Sequence, residues 1–347
     1  MRERRQLFLR AGIAAAFVLV LFSVLYTRQQ KREPITATSF KLSTVVKITL
    51  YDSQDQTILD EAMKLCDTYE QIFSRTLPES ELYRLNHGML PQKNGAYTVS
   101  EPLAELILEG LAYSRRCEGA FDISIEPISS LWDFTSGKKQ VPSVGEIAQA
   151  KDLVDYRDVS VNGQQVRFAQ EGMRLELGAI AKGYIADRIR ELLESKGIKS
   201  AIIDLGGNVV CIGGRPDGSP FRVGIQRPFA DRNETVAMIE ITDQSVVSSG
   251  VYERYFEKDG KLYHHILNPK DGYPYENGLL SVTIVSDRSV DGDGLSTSCF
   301  ALGLEAGMEL VESIPDVHAV FITEDGTLHF SEGFEEELHL EYTSQQE

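Results

Sequence analysis

Two polar clusters in the last third of the chain combine residue types that could act on a phosphate. The first is Tyr263-His264-His265-Ile266-Leu267-Asn268-Pro269, followed by Asp271-Gly272-Tyr273-Pro274. The second is Asp291-Gly292-Asp293-Gly294-Leu295-Ser296-Thr297, which opens an apolar run through Phe300, Leu302 and Leu304. Asp293 and Thr297 are one helical turn apart in sequence, so a helix would stack this carboxylate and hydroxyl on one face. Hard oxygen donors of this kind suit Mg²⁺, which completes its shell with waters and substrate phosphates. A helix N-terminus is also a favourable place for phosphate oxygens. Taken alone, the same residues read slightly more readily as a helix cap and a first-turn acid that favours the dipole.

Three further segments bear on the same chemistry. Leu177-Gly178-Ala179-Ile180-Ala181-Lys182-Gly183 is a small-residue turn leading into a helix. There glycine permits close backbone approach, and Lys182 could bring a cation to phosphate. Packing explains such a turn more often than ligand binding does. Asp204-Leu205-Gly206-Gly207-Asn208 reads either as an ordinary turn or as backbone amides that line a nucleotide. In His264-His265 the following Ile-Leu pair suggests alternation, with one ring inward and one outward. A single buried histidine is usually structural, yet histidine is also the side chain best suited to act as a base near neutral pH.

The elements that must position these residues read as an α+β chain. A strand is expected over residues 44–51, where β-branched residues alternate. A helix is expected over 54–73, from Ile58, Ala62, Leu65, Tyr69 and Ile72 at helical spacing. A second begins at Ser100, with Pro102 in its first turn, and runs to about Arg116. Ser143 and Glu146 form a capping-box pattern. Short strands are expected at 166–168, 174–177 and 200–205, around a helix carrying Ile185, Ile189, Leu192 and Leu193 that ends near Gly197. The back half reads mostly as strands, at 222–226, 236–241, 245–248, 262–267 and 280–285. A helix from Asp293 and a strand at 317–322 follow. Hairpin-like order rather than strict β-α-β alternation sets the class.

Length and charge narrow the field. A chain of 347 residues can hold one large domain or two closely packed ones. A net charge of −17 argues against a nucleic-acid partner, which needs a basic footprint. It leaves a nucleotide possible, since a bound divalent cation neutralises phosphates locally. Cys66, Cys117, Cys211 and Cys299 form no C-x-x-C pair, against a zinc site or a disulfide framework. At the N-terminus, arginines 2, 4, 5 and 10 precede an uncharged run over residues 11–26. As a helix that run spans roughly 24 Å, slightly short of a hydrocarbon core of about 30 Å. Leu7 to Leu9 could lengthen it. No small-residue cleavage site follows, so an uncleaved anchor is expected over a signal peptide, with the body outside the cytoplasm. The expected layout is residues 1–28 as anchor or signal segment, 29–38 as linker, 39–335 as the folded domain and 336–347 as an acidic tail.

The segments resemble the FAD:protein FMN transferase (ApbE-like) family. The matching pieces are Leu42-Ser43-Thr44-Val45-Val46, Ser80-Glu81-Leu82-Tyr83-Arg84-Leu85-Asn86, Gly119-Ala120-Phe121-Asp122-Ile123-Ser124, residues 176–183 and residues 204–208. Ser248-Ser249-Gly250-Val251-Tyr252-Glu253-Arg254-Tyr255, residues 264–269 and residues 293–297 complete the set in family order. The resemblance implies an ApbE-like fold, with mixed, largely antiparallel sheets and packed helices after one transmembrane helix. It implies Mg²⁺-dependent transfer of FMN from FAD to a threonine or serine of a partner protein, forming a phosphoester and releasing AMP. By the same resemblance Asp293, Thr297 and the backbone oxygen of Ala179 would hold the metal, and His265 with Asp293 would be catalytic. FAD contacts would fall on Leu42, Thr76, Ala120, Phe121, Asp122, Glu176, Lys182 and Leu267. The chain departs from the pattern twice. Thr76 stands where members often have an aromatic residue, and Glu176 where many have Asp. A FAD pyrophosphatase and a non-catalytic flavin-binding protein are the alternative readings. The chain has no acceptor motif of its own, since residues 243–250 have the wrong spacing. The acceptor is therefore expected on another, membrane-associated electron-transfer protein.

Overall fold

The computed structural model describes residues 33–343, and the expected anchor over residues 1–28 lies outside them. Its elements run β1 (Ile35–Lys41), β2 (Thr44–Leu50), α1 (Gln56–Phe73), α2 (Glu81–Asn86), β3 (Gln92–Lys93), β4 (Ala96–Thr98), α3 (Glu101–Arg116), α4 (Glu126–Ser129) and α5 (Val144–Lys151). Next come β5 (Val159–Asn162), β6 (Gln165–Phe168), α6 (Ala181–Ser195), β7 (Ala201–Leu205), β8 (Asn208–Ile212), β9 (Phe221–Gln226), β10 (Thr235–Ile241) and β11 (Ser245–Gly250). The chain ends with β12 (Tyr255–Lys258), β13 (Lys261–His264), β14 (Leu279–Ser286), α7 (Ser289–Leu302), α8 (Leu304–Glu312), β15 (His318–Thr323), β16 (Leu328–Phe330), α9 (Phe334–Glu337) and β17 (Glu341–Tyr342).

The organising element is an eight-stranded sheet in the order β1-β2-β7-β8-β11-β14-β15-β16. Every neighbouring pair in it is antiparallel, as the hairpin-like order of strands anticipates. Side chains alternate across it with period two. Val282, Ile284, Ala319 and Phe321 enter the main core with α1, α3, α6 and α7, while Val285, Val320 and Ile322 enter a second core under β9 and β10. A third, aromatic cluster joins Trp132, Phe256, Ile128, Ile147 and Leu267. The Trp132 indole N–H donates to the Gly272 carbonyl at 3.0 Å, which ties this cluster to the histidine segment's loop.

Four boundaries differ from the sequence reading. β1 starts at Ile35, inside the segment read as a linker, and pairs with β2 along its whole length. Residues 174–177 form no strand, only a single parallel bridge from Ile125 to Arg174. The segment read as a tail is partly folded: Leu338 is buried, and β17 pairs with β10 through Ala237 and Met238. Helix α7 begins at Ser289, so Asp293 lies inside the helix rather than capping it. Its N-terminus is capped from another helix, because Asp187 of α6 accepts from Ser289 N at 2.8 Å and from Val290 N at 3.0 Å.

Candidate active site

The site forms where the start of α6 meets the first two turns of α7. Glycine makes that meeting possible. A Cβ on Gly183 would collide with the Ser289 carbonyl, one on Gly292 would press into Val247, and one on Gly294 into the Tyr113 ring. Helix α7 therefore carries two glycines that cost it intrinsic propensity, on the order of 1 kcal/mol each, and gains close packing from them. Its side chains from Leu295 to Phe300 are buried, apart from a half-buried Thr297.

Asp293 is 5% exposed, and its Oδ2 accepts the Gly183 backbone N–H at 2.6 Å. That N–H belongs to the first turn of α6, where backbone donors have no partner within the helix. Among the described residues the Ala179 carbonyl accepts no backbone hydrogen bond, and the Lys182 side chain makes no ion pair. The turn thus presents an unclaimed carbonyl and an unclaimed ammonium beside a buried carboxylate. Burial pushes the Asp293 carboxyl above its ordinary range, while Lys182, the Gly183 amide and the Asn208 side chain act against that rise. Asn208 is itself fully buried; its Oδ1 accepts from Ser289 Oγ at 2.7 Å, and its Nδ2, turned to the Asp293 carboxylate, makes no hydrogen bond of regular geometry among the described residues.

Thr297 reaches the group through Ser249. The Ser249 hydroxyl lies 2.8 Å from Ser296 Oγ and 3.1 Å from Thr297 Oγ1, and Ser296 Oγ donates to the Asp293 carbonyl. Among the described residues no cluster of three or more His, Cys, Asp or Glu could hold a metal ion. The donor set here is one buried carboxylate, one hydroxyl and one freed carbonyl. Such hard oxygens fit Mg²⁺, which is held by one or two carboxylates plus water and substrate phosphate.

The two histidines separate in role. His264 is buried; its Nε2 bonds the Tyr275 carbonyl at 2.9 Å, and its Nδ1 accepts from Ile266 N. It is a satisfied structural ring. His265 keeps some surface, but its Nδ1 is buried with no partner. Burial, helped by Arg254, His264 and Lys182, pushes its pKa down to about 3. It is therefore a neutral ring across the physiological range, and burial makes it a weak base in the ligand-free site.

Some of the flavin residues expected from the resemblance are tied to the histidine loop or to the 176–183 turn. Leu42 and Ser43 form the β1–β2 turn, both with positive φ (52° and 57°). The next residue, Thr44, fills the space a side chain on Gly206 would need. The Ala120 carbonyl accepts from Tyr275 Oη at 2.9 Å, which joins the 120–122 segment to the histidine loop, and Leu267 bridges to Pro274 in that loop. Phe121 is buried. The Asp122 carboxylate is committed internally, to Ser124 N, Ser124 Oγ and Tyr156 N, so this segment can offer a ligand its backbone rather than that side chain. The Gly206 and Gly207 amides are likewise occupied, both by Asp204 Oδ1, against the reading of them as nucleotide donors. Glu176 accepts from Gly178 N at 3.0 Å and pairs with Arg75, next to the exposed Thr76.

Ser249, Asn208, Asp187 and Arg75 are the residues whose roles sequence reasoning missed. Ser249 and Asn208 left local signals, in the Ser-Ser-Gly run that ends β11 and in the Gly-Gly-Asn turn before β8, but neither signal gave the role. Two shallow clefts elsewhere, one bordered by Glu194 and Asp243 and the other by Glu105 and Arg288, include none of the site residues.

Hard oxygens, one of them a buried carboxylate, beside an ammonium with no ion pair among the described residues set this site apart from zinc centres and redox dithiols. The comparisons give the chain its family. Residues 42–321 match the ApbE family, and the chain belongs to it. It is 38% identical over 277 residues to a FAD:protein FMN transferase of Klebsiella pneumoniae (strain 342), covering 79% of this chain and 84% of that protein. It is 33% identical over 299 residues to one of Treponema pallidum (strain Nichols), covering 81% of each. Among solved structures, the ApbE protein of Thermotoga maritima superposes with a TM-score of 0.78 at 31% identity, over 87% of this chain and 98% of that one.

Proposed function

We propose that this chain, a transferase that moves FMN from FAD to a partner protein, does so at the meeting of α6 and α7 with Mg²⁺ as its cofactor. The observation that carries the reading is Asp293 seated on the Gly183 N–H, with the nearby Ala179 carbonyl accepting no backbone hydrogen bond among the described residues. Asp293, Thr297 and the Ala179 carbonyl would hold the ion. When bound it supplies charge neutralisation on the FAD pyrophosphate. Lys182 sets a second positive charge on the same phosphates and needs no rearrangement to do so. His265, neutral in the ligand-free site and made more basic by the negative phosphates once FAD is bound, takes the proton of the acceptor's threonine or serine hydroxyl as the new P–O bond forms. The bond between the two phosphates breaks, and AMP leaves. Positioning and charge carry the reaction, with no covalent work by the protein.

The half-buried setting of His265 favours transfer over hydrolysis, because an enclosed base meets an ordered hydroxyl more readily than bulk water. Residues 1–28 are assigned as an anchor, with the catalytic body outside the cytoplasm and a membrane-associated electron-transfer protein as acceptor. Support for this is the uncharged run flanked by arginines. Incubating the full chain in detergent with FAD, Mg²⁺ and a hydroxyl-bearing acceptor peptide should give flavin-labelled peptide and AMP by mass spectrometry. Free FMN in place of labelled peptide would make the chain a pyrophosphatase, and flavin binding without AMP release would make it a carrier.

A further inference from the structure

Arg75 lies just past the end of α1, on a stretch pinned from both sides. Ser74 Oγ accepts from Thr76 N at 3.2 Å and from Leu77 N at 3.1 Å, and the Ser80 hydroxyl donates to the Ser74 carbonyl. From there the Arg75 guanidinium meets two carboxylates. Its Nε pairs with Glu176 Oε2, and its Nη1 lies 3.8 Å from Glu126 Oε1. Glu126 is 4% exposed, and its other oxygen lies 3.2 Å from Arg174 Nη1. Two arginines and two glutamates therefore close a charge-balanced group, and the fixed fork of a planar guanidinium suits two carboxylates better than the point charge of a lysine would.

The consequence lies one step further on. Glu176 uses its second oxygen to accept from Gly178 N, and its own N–H donates to the Ile123 carbonyl at 2.8 Å. A Cβ on Gly178 would stand 2.8 Å from that second oxygen, so the position admits only glycine without displacing the carboxylate. Ala179 is the next residue, and Lys182 opens the helix just beyond.

We propose that Arg75 is a positioning residue of the transfer site: by holding Glu176 it fixes the Gly178 turn, and with it the Ala179 carbonyl and the Lys182 ammonium. The inference rests on the reading of those two groups as facing metal and phosphate. Residues that orient ligands from behind typically change metal affinity by 10- to 100-fold when removed.

The test compares wild type, Arg75→Gln, Arg75→Lys, Glu176→Gln and the double variant Arg75→Gln/Glu176→Gln. Each is measured for thermal melting, for FAD binding by flavin fluorescence over a Mg²⁺ series, and for AMP release. Arg75→Gln should raise the Mg²⁺ concentration for half-maximal FAD binding by about tenfold, with less than a twofold change in kcat once Mg²⁺ saturates. Arg75→Lys should restore only part of the loss, and the double variant should be no worse than Glu176→Gln alone. An unchanged Mg²⁺ midpoint in a variant that merely melts lower would overturn the proposal, as would single effects that multiply in the double variant. A wild-type chain that binds FAD with Mg²⁺ but labels no acceptor would sink the transfer reading and leave the Arg75 comparison to be decided by binding alone. A wild-type chain that binds no flavin would overturn both.

Discussion

The same strands cover the two faces of the eight-stranded sheet in different ways. Toward β9 and β10 they meet Phe221, Ile225, Ala237, Ile239 and Ile241, a second sheet that asks only for volume and dryness. Toward the helices they also meet apolar side chains, but within reach of a buried polar group: Asn208, Ser245, Ser289, Asp293 and Ser296. Apolar packing tolerates a change of volume at a modest cost. A buried carboxylate does not tolerate the loss of a partner in the same way. The helix face is therefore where precision is stored, and the far face is where the chain can drift.

Asp293→Asn should break the comparison hardest. The amide oxygen can still accept from Gly183, so melting should change little, while the yield of flavin-labelled peptide falls by about a thousandfold. Transfer at near wild-type rate would remove Asp293 from the chemistry.

His265→Gln comes next, with transfer expected to fall by about a hundredfold while FAD binding persists. Its ring also sharpens the comparison through pH. With a folded pKa of about 3 against an ordinary value near 6.5, the unfolded chain binds the extra proton between those values. The ring's contribution to stability is thus fully present above pH 6.5 and declines as pH falls toward 3. Urea melts from pH 7 down to 4 should show wild type losing stability that His265→Gln does not lose. In the rate, kcat/KM should show no acid limb near pH 6.5, and a limb there would assign the base to another group.

The mildest effect belongs to the far face. Ile239→Val should cost about 1 kcal/mol in a denaturant melt and leave kcat unchanged. A fall in kcat with that substitution would mean that the two faces are coupled through the sheet.

Much of the helix face was legible locally. Asp293 with Thr297, the 177–183 turn and the His264-His265 pair each sit within a few residues, so spacing alone reports them. The start of α7 was not, for a physical reason. Gly292 and Gly294 lower helix propensity just where the helix begins, and the cap comes from Asp187, more than a hundred residues earlier. The 174–177 segment shows the opposite failure. Leu175 and Leu177 are buried in alternation as in a strand, yet they lie in an extended connection with one bridge. Arg75 and Glu176 meet only through the fold, and no property of either residue announces the other. The end of the chain was read from its charge, which conceals that Leu338 is buried and that β17 closes the edge beside β10.

Gly183 against the Ser289 carbonyl has a last consequence. The gap between the two helices is set by main chain touching main chain, with no side chain to act as a spacer. Helix surfaces facing solvent can exchange most of their residues without altering that gap. Descendants of this sequence could thus diverge widely in outward appearance while the carboxylate of Asp293 keeps its seat on the Gly183 amide. Ala is the smallest step away from glycine, and at this one position it would already be a wedge.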